Sequence, residues 1–296
     1  MTTARANGIE IAYETFGTPE GRPLLLIMGL AAQMILWDDD FCAALAARGH
    51  RVIRFDNRDV GLSTKCDWAG MPDAAAAMQA ALLGQRVDAP YTLRDMAADA
   101  VGLLDALGIA AAHVVGASMG GMIAQAMAIA HPARVLSLTS IMSSTGDRSL
   151  PPARPEAAAV LLLPVVAGRA ANVERAVQVF RTIGSPGFPF DEARVRELAA
   201  RSYDRCFHPA GVARQLVAIL ASGSRRKGLA AVRVPTLVIH GRDDPLVPVE
   251  AGLDTAEAVP GAELLVIDGM GHDLPRAVWP LIVDRISALT ALTAHA

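Results

Sequence analysis

The 296-residue sequence predicts an α/β fold, with a mostly parallel central sheet that is covered by helices and interrupted by an inserted helical segment. Three observations lead to this prediction. Short apolar runs alternate with helical patterns up to residue 141, the alternation stops over residues 143–232, and it resumes near Val234. Hydrophobic residues make up 52% of the chain, which is enough for a sizeable core.

The first part of the chain supplies the beginning of this sheet. Residues 9–16 alternate between apolar and polar side chains, which is typical of a half-buried antiparallel strand. Residues 24–27 form a continuous apolar run, which is typical of a buried parallel strand, and residues 51–55 form a further strand. A helical pattern over residues 38–48 lies between them. A polar loop, residues 56–63, follows.

The next elements continue the alternation of helices and strands. A helix is predicted to start at Thr92, because Asp95 stands three residues later as in a capping box, and to continue to residue 107. A short apolar strand follows it. A helix over residues 120–130 and a strand over residues 135–141 come next.

Residues 143–232 carry helical patterns without a convincing buried strand. We therefore predict a helical cap here, inserted into an α/β core domain formed by residues 1–142 and 233–296. Two apolar runs after the insertion, residues 237–239 and 264–267, are predicted to be buried strands of the same sheet.

The sequence Gly-Ala-Ser-Met-Gly at residues 116–120 places Ser118 directly after an apolar run. This pattern is typical of a tight strand-to-helix turn, in which the serine backbone is strained and only small neighbours fit. Such a turn holds the hydroxyl at the end of a sheet, where a substrate carbonyl can reach it. Ser118 is therefore a candidate nucleophile.

Candidate acids and a candidate base follow the two later apolar runs. Asp243 and Asp244 come after the first run, and His272 comes after the second. Because the carboxyl ends of parallel strands meet at one edge of a sheet, these side chains can converge with Ser118. The other six histidines are interpreted as structural, and His208 is also a candidate for lining a pocket.

These motifs resemble those of the α/β-hydrolase superfamily over nearly the whole chain. Three short strings, at residues 26–29, 56–63 and 269–275, resemble the aclacinomycin methylesterase group within it. Most of the superfamily has His-Gly after the first central strand, whereas this chain has Met28 before Gly29, as the methylesterase-like proteins do. The resemblance implies hydrolysis of a methyl ester without a cofactor.

The resemblance also implies a role for each residue. Ser118 is the nucleophile and His272 the general base. The family places the acid three residues after the glycine that ends the strand, which favours Asp244 over Asp243. The backbone N–H groups of Leu30 and Met119 form the oxyanion hole.

Substrate-binding residues are expected in the predicted cap. Its apolar side chains can either fix the cap to the core or line an apolar pocket, as most ligand pockets are lined. Leu162 and Phe188 are the apolar candidates for such a pocket, and His208 is the polar one.

Composition excludes several other classes of partner. The net charge of −3, without a long run of one sign, argues against nucleic acid and membrane partners. Three scattered cysteines argue against a disulfide framework and a metal site. We expect a cytoplasmic monomer or homodimer that binds a small-molecule ester and needs no cofactor or metal.

A serine carboxylic-ester hydrolase that acts on a small or apolar ester through an acyl-enzyme accounts for these motifs. The alternatives on the same three residues are a perhydrolase of the cofactor-free haloperoxidase type, a carbon–carbon bond hydrolase and a proline iminopeptidase. A binding protein on the same fold is an alternative of a different class.

Overall fold

The computed structural model describes residues 2–161 and 168–292. These residues form one eight-stranded sheet. Its strands are β1 (Thr2–Ala6), β2 (Ile9–Phe16), β3 (Arg22–Ile27), β4 (His50–Phe55), β5 (Ala112–Ala117), β6 (Val135–Ile141), β7 (Thr236–Gly241) and β8 (Glu263–Ile267).

The strand order across the sheet is β1-β2-β4-β3-β5-β6-β7-β8. The β1–β2 and β2–β4 pairs are antiparallel, and all pairs from β4 to β8 are parallel. The mostly parallel sheet predicted from the sequence is therefore confirmed, including the antiparallel strand at residues 9–16. The sequence did not predict β1, because its residues, Thr-Thr-Ala-Arg-Ala, contain no apolar run.

Eleven α-helices are found in the described residues. They are α1 (Asp39–Ala47), α2 (Ala74–Leu82), α3 (Leu93–Ala106), α4 (Met119–Ala130), α5 (Pro155–Leu161), α6 (Arg169–Ile183), α7 (Glu192–Arg205), α8 (Pro209–Ser222), α9 (Arg226–Leu229), α10 (Val249–Ala258) and α11 (Trp279–Ala291). The capping box predicted at Thr92 is present, since its side chain and that of Asp95 cap the start of α3.

The two faces of the sheet carry separate cores. Successive residues of a strand point to opposite faces, so Leu25 and Ile27 of β3 pack with α3 and α4. Leu24 and Leu26 face the other way and pack with α1 and α11. Helices thus cover the sheet on both faces, as an α/β fold requires.

Residues 143–232, for which the sequence predicts a helical cap, contain α5 to α9 in their described part. We call this segment the cap region; that it forms a domain separate from residues 1–142 and 233–296 stays a prediction. Its helices bury fewer residues than α4 does, and α7 buries the fewest. None of the residues of α7 is fully buried, whereas nine of the twelve residues of α4 are.

The strand predicted at residues 264–267 is present, but the prediction that it is buried was wrong for its first residues. β8 is the last strand of the sheet, and Leu264 is 37% exposed. A short apolar run looks the same in a sequence whether the strand is central or at an edge, because the run does not show what covers its second face.

Candidate active site

Ser118 lies in a sharp turn between β5 and α4. Its backbone has φ +56° and ψ −122°, a strained conformation for a residue with a side chain. Gly120 permits the turn, because a Cβ there would lie 2.0 Å from the carbonyl oxygen of Ile27. Gly116 is needed for the same reason, since its Cβ would lie 2.1 Å from the carbonyl oxygen of Gly120.

Neighbours from the central sheet fix this turn. The backbone N–H of Ser118 donates to the carbonyl of Ile141, at the end of β6, over 2.9 Å. The Ser143 hydroxyl donates to the Ser118 carbonyl over 2.8 Å. The strained serine backbone is therefore held from both sides.

The structure brings Ser118, His272 and Asp244 together. His272 Nε2 lies 3.0 Å from Ser118 Oγ, and His272 Nδ1 lies 2.7 Å from Asp244 Oδ2. Asp244 and His272 are buried, with exposed fractions of 3% and 8%. An imidazole in this position can take the hydroxyl proton while the carboxylate fixes its orientation.

The geometry separates Asp244 from its neighbour Asp243. The second Asp244 oxygen, Oδ1, accepts the N–H groups of Leu246 and Val247 over 2.9 and 2.8 Å. Asp243 instead accepts the N–H of Gly269 over 2.8 Å. Asp244 is thus the carboxylate that contacts the imidazole, and Asp243 braces the loop that leads to it.

The loop that carries His272 is also bound to the cap region. The N–H of His272 donates to the carbonyl of Ile183, the last residue of α6, over 2.7 Å. The N–H of Gly271 donates to Ser185 Oγ over 2.9 Å. The Ser185 hydroxyl in turn donates to the carboxylate of Asp273, whose pKa burial raises.

The two predicted oxyanion donors belong to segments that adjoin Ser118. Met119 is the first residue of α4, where the helix dipole favours negative charge. Leu30 follows Gly29, where a Cβ would lie 3.1 Å from Ser118 Cβ, so the loop after β3 runs directly past the serine. The next amide in that loop, the N–H of Ala31, donates to Gln215 Oε1 over 3.1 Å.

Two of the three predicted substrate-binding residues are described by the structure, and they lie in different surroundings. Phe188 is half-buried and packs against the core that contains α1 and α11. His208 is tied into a charged cluster, with its Nε2 2.9 Å from Arg214 and 3.1 Å from Asp67. Leu162 lies outside the described residues.

The polar loop after β4 pairs its charges with other elements. Arg58 binds Asp99 of α3 through two contacts of 2.6 Å. Asp59 binds Arg214 of α8 over 2.9 and 2.7 Å. Although burial alone acts to raise the pKa of Asp59, the hydrogen bonds from Arg214 and Tyr91 lower it. Arg58 therefore ties the loop to α3 through a carboxylate.

Competing histidines have structural partners of their own. His50 binds the Leu45 carbonyl, His113 binds Ser137 Oγ, and His240 binds the Val247 carbonyl, each over 2.8 Å. Burial lowers the pKa of each of the three, to about 4 for His113. These rings therefore have hydrogen-bond partners outside the triad, and burial favours their neutral form.

Two of the three free cysteines, Cys42 and Cys66, are unsuited to act as nucleophiles. Both are buried, and burial raises the pKa of Cys42 to about 12 and also raises that of Cys66. Within residues 2–161 and 168–292, no group of three or more His, Cys, Asp or Glu side chains is arranged to hold a metal ion. In the same part of the chain, no helix combines the length and apolar character needed to cross a membrane.

Three residues that lie outside the sequence motifs but bond to the loops of the site were not predicted from the sequence. Ser143, Ser185 and Gln215 contact the site over separations of 25, 86 and 184 residues. Single serines and glutamines carry no local pattern, so the sequence offers no signal for them.

Comparison with known proteins places this chain in a family. Residues 22–275 match the profile of the alpha/beta hydrolase fold family. The rhodomycin D methylesterase DnrP of Streptomyces peucetius is 34% identical over 298 aligned residues, which cover 94% of this chain and 93% of that protein. The putative carbamate hydrolase RutD of Variovorax paradoxus strain S110 is 31% identical over 88% of each chain.

Solved structures show the same architecture. The enol-lactonase from Burkholderia xenovorans LB400 covers all of this chain with a TM-score of 0.70 and a sequence identity of 23%. At that identity the similarity concerns the fold alone.

Proposed function

The chain belongs to the α/β-hydrolase fold family, and on that premise we propose that it is a serine carboxylic-ester hydrolase. One observation carries the proposal. The Ser118 hydroxyl, the His272 imidazole and the buried Asp244 carboxylate form a continuous hydrogen-bonded chain at the carboxyl edge of the sheet. This is the arrangement that activates a serine toward a carbonyl.

The proposed reaction proceeds in two halves. His272 takes the proton of Ser118 as Oγ attacks the ester carbonyl, and the N–H groups of Leu30 and Met119 stabilise the resulting oxyanion. The intermediate collapses, the C–O bond breaks, and His272 returns the proton to the departing alcohol. Water, deprotonated by His272, then attacks the acyl carbon. The bond from that carbon to Ser118 Oγ breaks, His272 returns the proton to Oγ, and the acid is released.

The proposed substrate is a small or apolar ester, with a methyl ester as the first candidate. The similarity to a rhodomycin D methylesterase over most of both chains supports this choice. We place the acyl group against the cap region, where Phe188 and His208, and the undescribed Leu162, remain the proposed contacts.

Charge pairing in the cap region disfavours an aminopeptidase-like substrate. Recognition of a substrate amine would need a free carboxylate near the site. Glu174 and Glu192 of the cap region both bind Arg196, and Asp191 accepts the N–H of Arg194 at the start of α7. An uncharged ester suits these surroundings better than an amine.

The test is turnover of p-nitrophenyl acetate, butyrate and octanoate by the wild type, Ser118→Ala and Phe188→Ala. We expect the Ser118 variant to lose activity by a factor on the order of 10⁴–10⁶, and the Phe188 variant to shift the chain-length profile. A p-nitrophenyl phosphonate should label the peptide that contains Ser118. A wild type that turns over no ester and takes no label would refute the proposal, and an unchanged profile would remove Phe188 from the pocket.

A further inference from the structure

We propose that Gln215, on α8 of the cap region, is a positioning residue for the oxyanion hole. Its side chain holds the loop after β3, which carries the Leu30 N–H. This inference rests on the proposed esterase function and adds to it a specific dependence of the chemistry on the cap region.

Gln215 bridges two loops of the central sheet. Its Oε1 accepts the N–H of Ala31 over 3.1 Å, and its Nε2 donates to the carbonyl of Arg58 over 2.8 Å. The side chain is fully buried, with an exposed fraction of 0%. A buried carboxamide with both ends bonded has one orientation, because rotating it would place a donor against the Ala31 N–H and an acceptor against the Arg58 carbonyl.

The residue held by Gln215 needs such support. Ala31 has φ +64°, a left-handed conformation that is unfavourable for a residue with a Cβ. Its own side chain is exposed, so Ala31 adds no packing to the turn. The other contacts of the turn are the packing of Leu30 against the core and a hydrogen bond of 3.3 Å from the Ala32 N–H to the Gly29 carbonyl. The peptide group between Leu30 and Ala31 supplies the N–H that Gln215 binds, and it adjoins the residue that supplies the proposed oxyanion donor.

Later parts of the same loop have other anchors. Gln33 donates to the carbonyls of Ser202 and Cys206 on the cap region, over 2.7 and 3.0 Å. The N–H of Met34 donates to Asp56 Oδ1 over 2.8 Å. Loss of the Gln215 side chain should therefore loosen the segment around Leu30 while the remainder of the loop stays in place.

Loss of the Gln215 side chain should weaken binding of the transition state more than binding of the substrate. Negative charge on the substrate oxygen develops only as Ser118 attacks, so a displaced Leu30 N–H lowers kcat more than it raises KM. A side chain that served stability alone would change the unfolding temperature without this selective effect on kcat.

The experiment compares Gln215→Met with Gln125→Met, using p-nitrophenyl butyrate and an apolar trifluoromethyl ketone as a transition-state analogue. Gln125 is a fully buried glutamine of α4 that bonds Ser140 and Arg225, so it controls for loss of a buried carboxamide. For Gln215→Met we expect kcat to fall about 10- to 100-fold, KM to stay within about twofold, and the inhibition constant to rise in parallel with the loss of kcat/KM.

The inference is overturned if Gln215→Met turns over the ester and binds the ketone as the wild type does, or if Gln125→Met shows the same loss of both. Absence of turnover in the wild type would instead refute the proposed function, so the two failures are distinguishable.

Discussion

The serine turn and the two loops that face it are held by different parts of the molecule. Ser118 is fixed by β6, by Ser143 directly after β6 and by the backbone at the end of β3. The His272 loop instead bonds the end of α6, and the loop that carries Leu30 bonds Gln215 of α8. The nucleophile thus depends on the central sheet, whereas the base and the proposed oxyanion donor also depend on the cap region.

The two regions are also stabilised by different forces. The sheet and α4 are held by small and apolar side chains that are almost completely buried. The cap region adds buried polar contacts to its apolar ones, among them Arg214 with Asp59 and Arg205 with Asp56. Such contacts fix geometry closely, but the loss of one partner leaves the other buried and uncompensated.

The largest effect is expected from Asp244→Asn, which alters the triad without touching the cap region. The amide would present a donor to His272 Nδ1 and favour the wrong tautomer of the ring, so kcat should fall on the order of 10⁴-fold. The matched variant is Asp243→Asn, which alters the neighbouring carboxylate that binds Gly269. Steady-state kinetics with p-nitrophenyl butyrate should show a loss of less than about tenfold for it. Equal losses would reject the assignment of Asp244.

A large loss of stability is expected from Arg214→Met, which breaks the main ion pair between the cap region and the loop after β4. Arg214 and Asp59 are both buried, with side-chain exposures of 1% and 0%. Removal of the arginine leaves the Asp59 carboxylate without its cation and should lower the free energy of unfolding by about 3–5 kcal/mol. Urea denaturation measures this change.

A double variant tests whether the uncompensated charge is the cause. Asp59 has φ +73°, a conformation that asparagine tolerates, and the amide oxygen of an asparagine at this position can still accept the Tyr91 hydroxyl. Its amide nitrogen then faces the Cys66 N–H, which Asp59 Oδ1 accepts over 2.7 Å, so one neutral hydrogen bond is lost. Because this loss costs less than an uncompensated buried charge, we expect Arg214→Met with Asp59→Asn to be more stable than Arg214→Met alone. A double variant that is the less stable of the two would show that the uncompensated charge is not the main cause.

The same contrast explains which features could be predicted from the sequence. The tight turn at residues 116–120 is a local pattern. Its glycines are required because a Cβ would collide with the backbone a few residues away or with the backbone of the adjacent strand. The parallel sheet followed from the periodicity of its strands, and the edge where Ser118, Asp244 and His272 would meet followed from the strand ends. Local sequence was sufficient wherever neighbouring strands determine the geometry.

The contacts of the cap region could not be predicted in this way. Gln215 meets Ala31 across 184 residues, and Ser185 meets Gly271 across 86. Neither residue belongs to a recognisable motif, and a serine or glutamine on a helix or loop most often faces solvent. The residues alone did not decide between Asp243 and Asp244, because the choice depends on where each side chain points. Only the resemblance to a family favoured Asp244.

The smallest effect is expected from Ser185→Ala, which tests whether the cap region positions the base. The variant removes the acceptor of the Gly271 N–H and the hydroxyl that binds Asp273, next to His272. One lost hydrogen bond of this kind is worth about 0.5–1.5 kcal/mol, so kcat should fall about 2- to 10-fold with KM nearly unchanged.

Ser149→Ala provides the control, because that exposed serine also donates to an aspartate, Asp147, but lies away from the triad in sequence and in contacts. It should leave kcat at the wild-type value. Ser185→Thr, which keeps a hydroxyl, should recover most of the activity lost in Ser185→Ala. A Ser185→Ala enzyme with unchanged kcat would mean that the Ile183 carbonyl and the Asp244 carboxylate hold His272 without help from this side chain, and that the cap region contributes to the base through its backbone alone.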